Sequence, residues 1–491
     1  MGYVIGIDVG SQSVKAVLCS PEGDTVATAT HPCSMDHPRS GWSEQDPAQW
    51  REGIRATVHS LLARPALRPG EVTHLGLACQ VDGVVPVDDR MSPLRPAIIW
   101  LDRRAERQAR ELEERLGAAE TFRLSGLNPD ASHIAPKIMW LRDTEPEVYL
   151  SARLFPPVAG YLTGWLTGHA VQDHANASST LLYDVRTREW SPELLKAADI
   201  DPRLLAPIQP AHELAGHLTG QAAAELGLPT SCQVVTGTGD DHAAALGAGV
   251  VAPGAIADVT GTAEPVAAAA TGPVFDEERL VETHAHAVDG TLLVENPGFV
   301  SGGSTMWLAR ALGCSQEDTF TCAEAAPPGS DGVIFLPALS GATAPRWNDR
   351  MRGVFHGLSM NHDRCHLSRA VLEGCTYALR DITDRLSSLG LGGGELRVVG
   401  GGCRIELWLQ VKADVTGLPV REVLVPEPTA LGAAMLACVG AGAYPDTVAA
   451  AAQMTRLAHT CREPDPARAE AYQLAYARYQ RVFDALEELA R

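Results

Sequence analysis

The stretch Tyr3-Val4-Ile5-Gly6-Ile7-Asp8-Val9-Gly10-Ser11-Gln12-Ser13-Val14-Lys15-Ala16-Val17-Leu18-Cys19 opens the chain and decides its fold. Two apolar runs, 3–10 and 14–19, flank a turn of small polar residues. That predicts a β-hairpin, not a strand feeding a helix. Asp8 closes the first strand. The pattern returns about 250 residues later, which points to an internal duplication. There Ala255-Ile256-Ala257-Asp258-Val259-Thr260-Gly261-Thr262-Ala263 again runs from an apolar strand through an Asp into a small Gly/Thr turn. A chain of 491 residues is too long for one ordinary core. The expectation is two similar α/β domains facing each other across a cleft, residues 1–246 and 247–491.

Between the two copies lies Thr236-Gly237-Thr238-Gly239-Asp240-Asp241-His242-Ala243-Ala244-Ala245-Leu246-Gly247. Gln233-Val234-Val235 leads in as a buried strand end, and the Ala-rich segment begins a helix. Asp240 or Asp241 suits that helix's N-terminus as a capping side chain. The same loop, at a strand's carboxyl end, would present an acid to a cleft. The glycines around 247–254 predict the hinge between domains.

Composition narrows the function. Apolar residues make up 45% and charged residues 20%, with no run of five like charges. The net charge of −20 argues against a nucleic-acid partner and an anionic membrane surface. No apolar stretch reaches the length of a membrane span and the N-terminus lacks a signal pattern, so a cytoplasmic protein is expected. The 11 cysteines are scattered and show no C-x-x-C pair. They predict reduced thiols.

Periodicity predicts a helix over 48–63 on Trp50, Ile54, Val58 and Leu61 or Leu62, a charged helix over 102–116, a long amphipathic helix over 364–387, and a helix over 404–416. Strands are predicted at 75–78, 97–100, 333–336 and 396–399. A long loop, Pro337 to Arg352, carries Ala344-Pro345-Arg346-Trp347-Asn348. Tyr472, Tyr476, Tyr479, Phe483 and Leu486 fall at steps of four and three and predict a last helix packed on the body.

Four loops, 8–15, 237–242, 258–263 and 400–404, combine glycine with Ser, Thr, Asp or a cation after a strand. Backbone N–H groups freed by glycine, with hydroxyls beside them, suit an anion. Four of them point to a triphosphate held between two domains. The loop after 396–399 is not G-x-G-x-x-G, and no G-x-x-x-x-G-K-[ST] occurs, which disfavours Rossmann and P-loop nucleotide binding.

These residues resemble the FGGY carbohydrate kinases. Gly6 to Val17 resembles the family's first phosphate loop. Gly353-Val354-Phe355-His356-Gly357-Leu358, followed after seven residues by His366-Leu367-Ser368-Arg369-Ala370-Val371-Leu372-Glu373, resembles its C-terminal signature. Gly400 to Arg404, Trp408 and Ala430 to Ala434 resemble its adenosine region. The likeness covers residues 3 to 445. It is greatest toward xylulokinases, through Leu94 to Trp100 and Phe335-Leu336-Pro337 running to Pro345-Arg346-Trp347.

The resemblance implies two ribonuclease H-like domains of the actin/hexokinase-like ATPase group with a cleft between them, and ATP and Mg2+ as cofactors. Asp240 would be the catalytic base, and Asp8 would hold Mg2+. Ser11, Gln12, Ser13 and Lys15 would line the γ-phosphate from one side, and Gly261, Thr262 and Gly303 from the other. Gly401, Gly402 and Arg404 would sit by the adenosine and α-phosphate. Gln80, Val81, Asp82, Trp100, Asp102, Arg104 and Asp241 would line the pocket for a small sugar or polyol. Gln80-Val81-Asp82-Gly83 departs from the Gln-Met-His-Gly usual in xylulokinases, and Asp241 stands where an amide is common. Both changes exchange a donor for an acceptor, which leaves room for a polyol (erythritol, pentitol or glycerol type) or another ketose beside a pentulose. An ATP-binding regulatory role without sugar phosphorylation is the alternative, and the presence of Asp240 argues against it. A homodimer is left open.

Overall fold

The computed structural model describes residues 2–20, 22–64, 67–296, 298–342, 345–348 and 350–489. Ala344, singled out above, lies outside the described residues.

The opening hairpin forms as predicted. Strand β1 (Tyr3–Val9) pairs antiparallel with β2 (Ser13–Cys19), which sets Asp8 opposite Lys15, and β3 (Thr25–Pro32) continues the sheet. Helix α1 (Pro47–Leu62) starts where the Asp46 side chain accepts the Ala48 N–H and Pro47 occupies the first turn. It buries Trp50, Ile54, Val58 and Leu61 against this sheet. Strand β4 (Val72–Cys79) runs parallel to β1, with Cys79 beside Val9. A mainly helical layer follows, beginning with α2 (Glu106–Leu116). The chain then returns through β5 (Leu214–His217), β6 (Gln233–Val235) and β7 (Thr238–Gly239) to α3 (Asp240–Gly247). The seven-stranded sheet has the order β3-β2-β1-β4-β6-β5, and β7 also pairs with β4.

The second half repeats this plan. Strand β8 (Ala255–Thr260) pairs antiparallel with β9 (Val266–Ala270), and β10 (Glu282–Ala285) and β11 (Leu292–Asn296) extend that side. Helices α4 (Gly302–Leu312), α5 (Gln316–Ala325) and α6 (Arg364–Ser388) follow. Strand β12 (Glu395–Gly400) lies parallel to β8, as β4 does to β1. Then come α7 (Glu406–Thr416), β13 (Val420–Glu422), α8 (Pro428–Gly440) and α9 (Pro466–Leu489). The six-stranded order is β10-β11-β9-β8-β12-β13. Each sheet thus centres on the strand that the duplicated motif supplies.

Helix α8 belongs to the second half of the sequence but covers the first sheet. Ala430, Leu431 and Ala434 share a core with Val4 and Val17. The approach is very close: a Cβ on Gly6 would lie 2.0 Å from the Ala430 carbonyl oxygen, and one on Gly76 2.0 Å from that of Ala433. Helix α3 packs against the same helix, with Gly432 held to the Ala243 backbone.

Three expectations need correction. Helix α2 starts at Glu106, not 102, because Asp102 accepts the Arg104 N–H and folds residues 99–104 into a turn. Helix α7 starts at Glu406, since Gly401–Arg404 wind a separate tight turn after Gly400 at φ +90°. The thiols are not all reduced: Cys322 of α5 and Cys365 of α6 form a disulfide across 43 residues. Their pairing comes from two helix ends meeting in space, so no spacing in the sequence announces it. The tyrosine stripe packs as predicted, with Tyr472, Tyr476, Tyr479 and Phe483 buried on α9.

Candidate active site

The first sheet carries its functional groups at one edge. Strands β1, β4 and β7 are parallel, with Asp8 level with Ala78 and Ala78 level with Thr238. Chain leaves all three strands at this edge, so Asp8, Gln80 and Asp240 emerge side by side. This is the carboxyl edge where open α/β sheets hold ligands.

Asp240 and Asp241 are the first two residues of α3. The N-cap is Gly239, which has no side chain to cap with, so neither Asp is the N-cap residue, but Asp240 Oδ1 accepts the free Asp241 N–H at 3.2 Å. In the first turn both still face the positive end of the helix. Burial pushes the Asp240 carboxyl well above the usual carboxylate range, and the charges of Asp241 and Asp8 push it further. Burial and Asp82 raise Asp241 to about 6. Asp8 is raised to about 7 by burial, against the pull of Lys15 and with the push of Glu427 and Asp241. Three neighbouring acids whose proton affinities are all raised above the ordinary carboxylate range form a centre poised for a cation and for proton transfer.

The pocket loop after β4 is rigidly held. Gln80 is 1% exposed and donates through Nε2 to Gln45 Oε1 at 2.7 Å, while Gln45 Nε2 donates to the Ser11 carbonyl at 2.7 Å. This chain of amides couples the pocket loop to the Gly10–Ser13 turn. Val81 packs against the Gly239 backbone, just before the acid pair. Asp82 sits at φ +61°. Lys137, fully buried, holds it there by donating to the carbonyls of Asp82 (2.6 Å), Ile99 (3.0 Å) and Ser132. His133 Nδ1 lies 3.2 Å from Asp82 Oδ1. Burial opposes its charge, but Asp82 overrides it and raises His133 to about 9. Position 133 thus sets an imidazole directly beside Asp82.

Two predicted pocket residues are otherwise engaged. Asp102 and the side chain of Arg104 are buried against each other, with Arg104 Nη2 2.7 Å from Asp102 Oδ2, and the Ser43 N–H donates to the same carboxylate at 2.6 Å. Arg104 also pairs with Glu44 at 2.7 Å and stacks 3.7 Å above Trp42. The pair braces the wall of the pocket and leaves little for a ligand. Trp100, next to it, is 40% exposed.

The Gly/Ser turns are open. A Cβ on Gly10, Gly261 or Gly401 would meet no atom closer than 3.3 Å. Ser11, Gln12 and Ser13 are at least partly exposed, and Gly261 and Thr262 are exposed. Lys15 pairs with Glu427 at 2.8 Å, which ties the first turn to the start of α8. Others of the set also carry contacts within the fold. The Gly303 N–H donates to the Thr262 carbonyl at 3.0 Å, so it holds the second turn in place. Gly402 is packed against Thr260, and Trp408 is a core residue whose indole donates to Thr376. Arg404 is exposed on its turn. Asp258, the counterpart of Asp8, does not reach the cleft as a free acid: buried Lys412 donates to it, to Thr260 Oγ1 (2.6 Å) and to Glu264 (3.0 Å). The duplicated strand end therefore keeps the position and loses the chemistry.

The donor set fits a magnesium–nucleotide pair. Among the described residues no side chain hydrogen-bonds the Asp8 carboxylate, and its affinity for a proton marks a site short of positive charge. Mg2+ prefers such oxygen ligands, and the open glycine turns suit phosphate oxygens. Gln45, His133, Lys137, Lys412 and Glu427 were not found from the sequence. One signal did exist: Lys137 and Lys412 are two of only four lysines in an arginine-rich chain, and both are buried.

Two repeated sheets with acids and glycine turns at the cleft edge define an actin/hexokinase-like ATPase fold. The family models for FGGY carbohydrate kinases match it, the N-terminal domain over residues 3–247 and the C-terminal domain over 257–441. The chain belongs to the FGGY family of carbohydrate kinases. It is 31% identical to a xylulose kinase of Escherichia coli K12, with 98% of this chain and 99% of that protein aligned. It is 32% identical to a glycerol kinase of Citrifermentans bemidjiense, over 92% and 93% respectively. A solved xylulose kinase from Rhodospirillum rubrum superposes with a TM-score of 0.89 at 29% identity, covering 99% of each chain. The chain is therefore a phosphotransferase with an alcohol acceptor, xylulokinase-like, in a family that uses ATP as phosphate donor. No helix among the described residues is long and apolar enough to cross a membrane.

Proposed function

We propose that this chain transfers the γ-phosphate of ATP to a primary hydroxyl of a pentulose-type sugar, with Asp240 as general base. The carrying observation is the half-buried acid group Asp8, Asp240 and Asp241 at one sheet edge. Asp240 takes the hydroxyl proton as that oxygen attacks the γ-phosphorus and the bond to the departing ADP breaks. Asp8 would hold Mg2+, directly or through water, and the ion would neutralise phosphate charge. Ser11, Gln12, Ser13, Gly261 and Thr262 position the phosphates, and Gly401 and Arg404 lie on the adenosine side. Lys15 acts there together with Glu427. Asp82, Asp241 and His133 meet the sugar hydroxyls. The setting is the cytoplasm, where ATP is supplied.

A second reading, a polyol acceptor, is favoured by Asp82 and Asp241. Two carboxylates accept from vicinal hydroxyls and cannot donate to a ketone oxygen. Sugar-dependent ADP release, measured across pentuloses, other ketoses, pentitols, erythritol and glycerol, decides. A preference for D-xylulose of about tenfold or more, worth about 1.4 kcal/mol of transition-state binding, would exclude the polyol reading. No stimulation by any sugar or polyol would overturn both.

A further inference from the structure

Behind the acid pair lies a second polar cluster that the phosphoryl-transfer reading does not use. His242 follows Asp240 by two positions on α3, so it points about 200° away from it around the helix. It faces the second sheet. There Glu282 on β10 sits directly opposite Glu295 on β11, and His284, two residues along β10, shares their face. His242, His284 and Glu295 are 1%, 5% and 3% exposed. Each can offer one atom such that all three lie within 4.8 Å of one another.

The hydrogen bonding within the cluster is incomplete. His242 Nδ1 and Glu295 Oε2 are buried with no partner. Ser179 Oγ donates to the Ala175 carbonyl at 3.3 Å and lies 3.4 Å from His284 Nδ1. With the hydroxyl hydrogen on the Ala175 carbonyl, Ser179 is placed to accept from a His284 tautomer that carries Nδ1–H. In that tautomer the lone pair of His284 Nε2 faces Glu295 Oε1 at 3.3 Å. Two acceptors at that separation need a positive centre between them. Ligands about 2.0–2.1 Å from a tetrahedral zinc ion are themselves about 3.3 Å apart. A hydroxyl on the far ring nitrogen is the outer partner that metal-binding histidines have.

We propose that His242, His284 and Glu295 bind one divalent cation of the borderline class, zinc foremost, distinct from the magnesium held with the nucleotide. Two imidazoles and one carboxylate select such ions over Mg2+, which takes oxygen ligands. The site joins α3 to β10 and β11, so the ion clamps the helix that carries Asp240 to the second sheet. The site is independent of which sugar is phosphorylated. The competing arrangement is a protonated Glu295 that donates to His284 with no metal.

The test uses the full chain, stripped with a chelator and reloaded with Zn2+ or with Co2+ as a spectroscopic probe. Wild type is expected to retain about one zinc more per chain after gel filtration than Glu295→Gln and His242→Ala, and to keep it against a large excess of Mg2+. Zinc should raise its melting temperature and leave theirs unmoved. Outer partners alone are worth about 10–100-fold in metal affinity, so losing a ligand should cost more than about 100-fold. Co2+ should give visible ligand-field bands without thiolate charge transfer, which separates this site from the free cysteines. Equal zinc in wild type and both variants, or no zinc-dependent shift, overturns the site. Circular dichroism of the metal-free variants checks their fold. If either is misfolded, the Co2+ spectrum of wild type decides, and absence of the bands overturns the proposal.

Discussion

At the scale of the residue, Asp240 and Asp241 are adjacent acids to which the proposed function gives different duties. Asp240→Asn keeps the shape and removes the base, so kcat should fall by about 10²–10⁴-fold while ATP binding, followed by fluorescent nucleotide displacement, stays close to wild type. Full turnover in that variant would remove Asp240 from the base role. The pH profile has a definite sign. A base works only when deprotonated, and the Asp240 carboxyl is held above the ordinary range by burial and by the charges of Asp241 and Asp8. The acid limb of kcat/KM for the sugar should therefore stand above the usual carboxylate range, with activity falling as pH drops through the raised value. Asp241→Asn removes one of the charges that raise it, so the limb should move to lower pH. A limb that stays in place would dissociate Asp241 from the titration of the base. His133 belongs to the same scale. It was invisible in the sequence because Asp82 and His133 are far apart along the chain and meet only through the fold.

At the scale of the element, α3 and α8 form the joint on which the site rests. A Cβ on Gly432 would lie 2.1 Å from the Ala243 carbonyl oxygen, a backbone atom that no rotamer change can move aside. Gly432→Val should force the helices apart and cost about 1–3 kcal/mol or more in urea unfolding. Because α3 carries Asp240, kcat should fall with it. Normal stability and turnover in Gly432→Val would show that the two helices are not tightly seated. The sequence marks this region as small-residue helices but does not say that they meet. Elements whose reason for existing is local were legible: the hairpin of β1 and β2, α1, α6, and the stripe on α9. Those whose ends depend on partners were not. Helix α2 loses its first turn to the Asp102–Arg104 pair, and the N-cap of α3 falls to Gly239 because the strand before it continues to that residue.

At the scale of the whole molecule, the two halves of the sequence are not two independent bodies. Helix α8 lies on the first sheet, and β10 and β11 bring Glu282 and Glu295 up to the acids of α3. Burial pushes Glu295 well above the usual range, with Asp241, Glu282 and Asp240 adding to it. Removing α8 would uncover the face of the first sheet that holds Val4, Val17 and Cys19. Calorimetry of the full chain should therefore show a single cooperative transition, and residues 3–247 expressed alone should lack one. Two well-separated transitions in the intact protein would contradict this coupling.

The sequence by itself determined the duplicated strand–Asp–turn motif, the two-sheet α/β plan and the glycine turns, and it singled out Asp240 as the candidate base. All of these are encoded in short contiguous stretches, where a hydrophobic period or a run of small residues acts on its own backbone. Only the tertiary structure decided which members of that set remain free to act. Asp8 keeps an open carboxylate while Lys412 neutralises Asp258, Asp102 is turned inward onto Arg104, Gly303 holds the neighbouring turn, and Cys322 finds Cys365. For Asp258 and Asp102 the physical reason is that a buried charge must find a partner, and part of that partner set, Lys412 for one and the Ser43 N–H for the other, comes from a distant part of the chain.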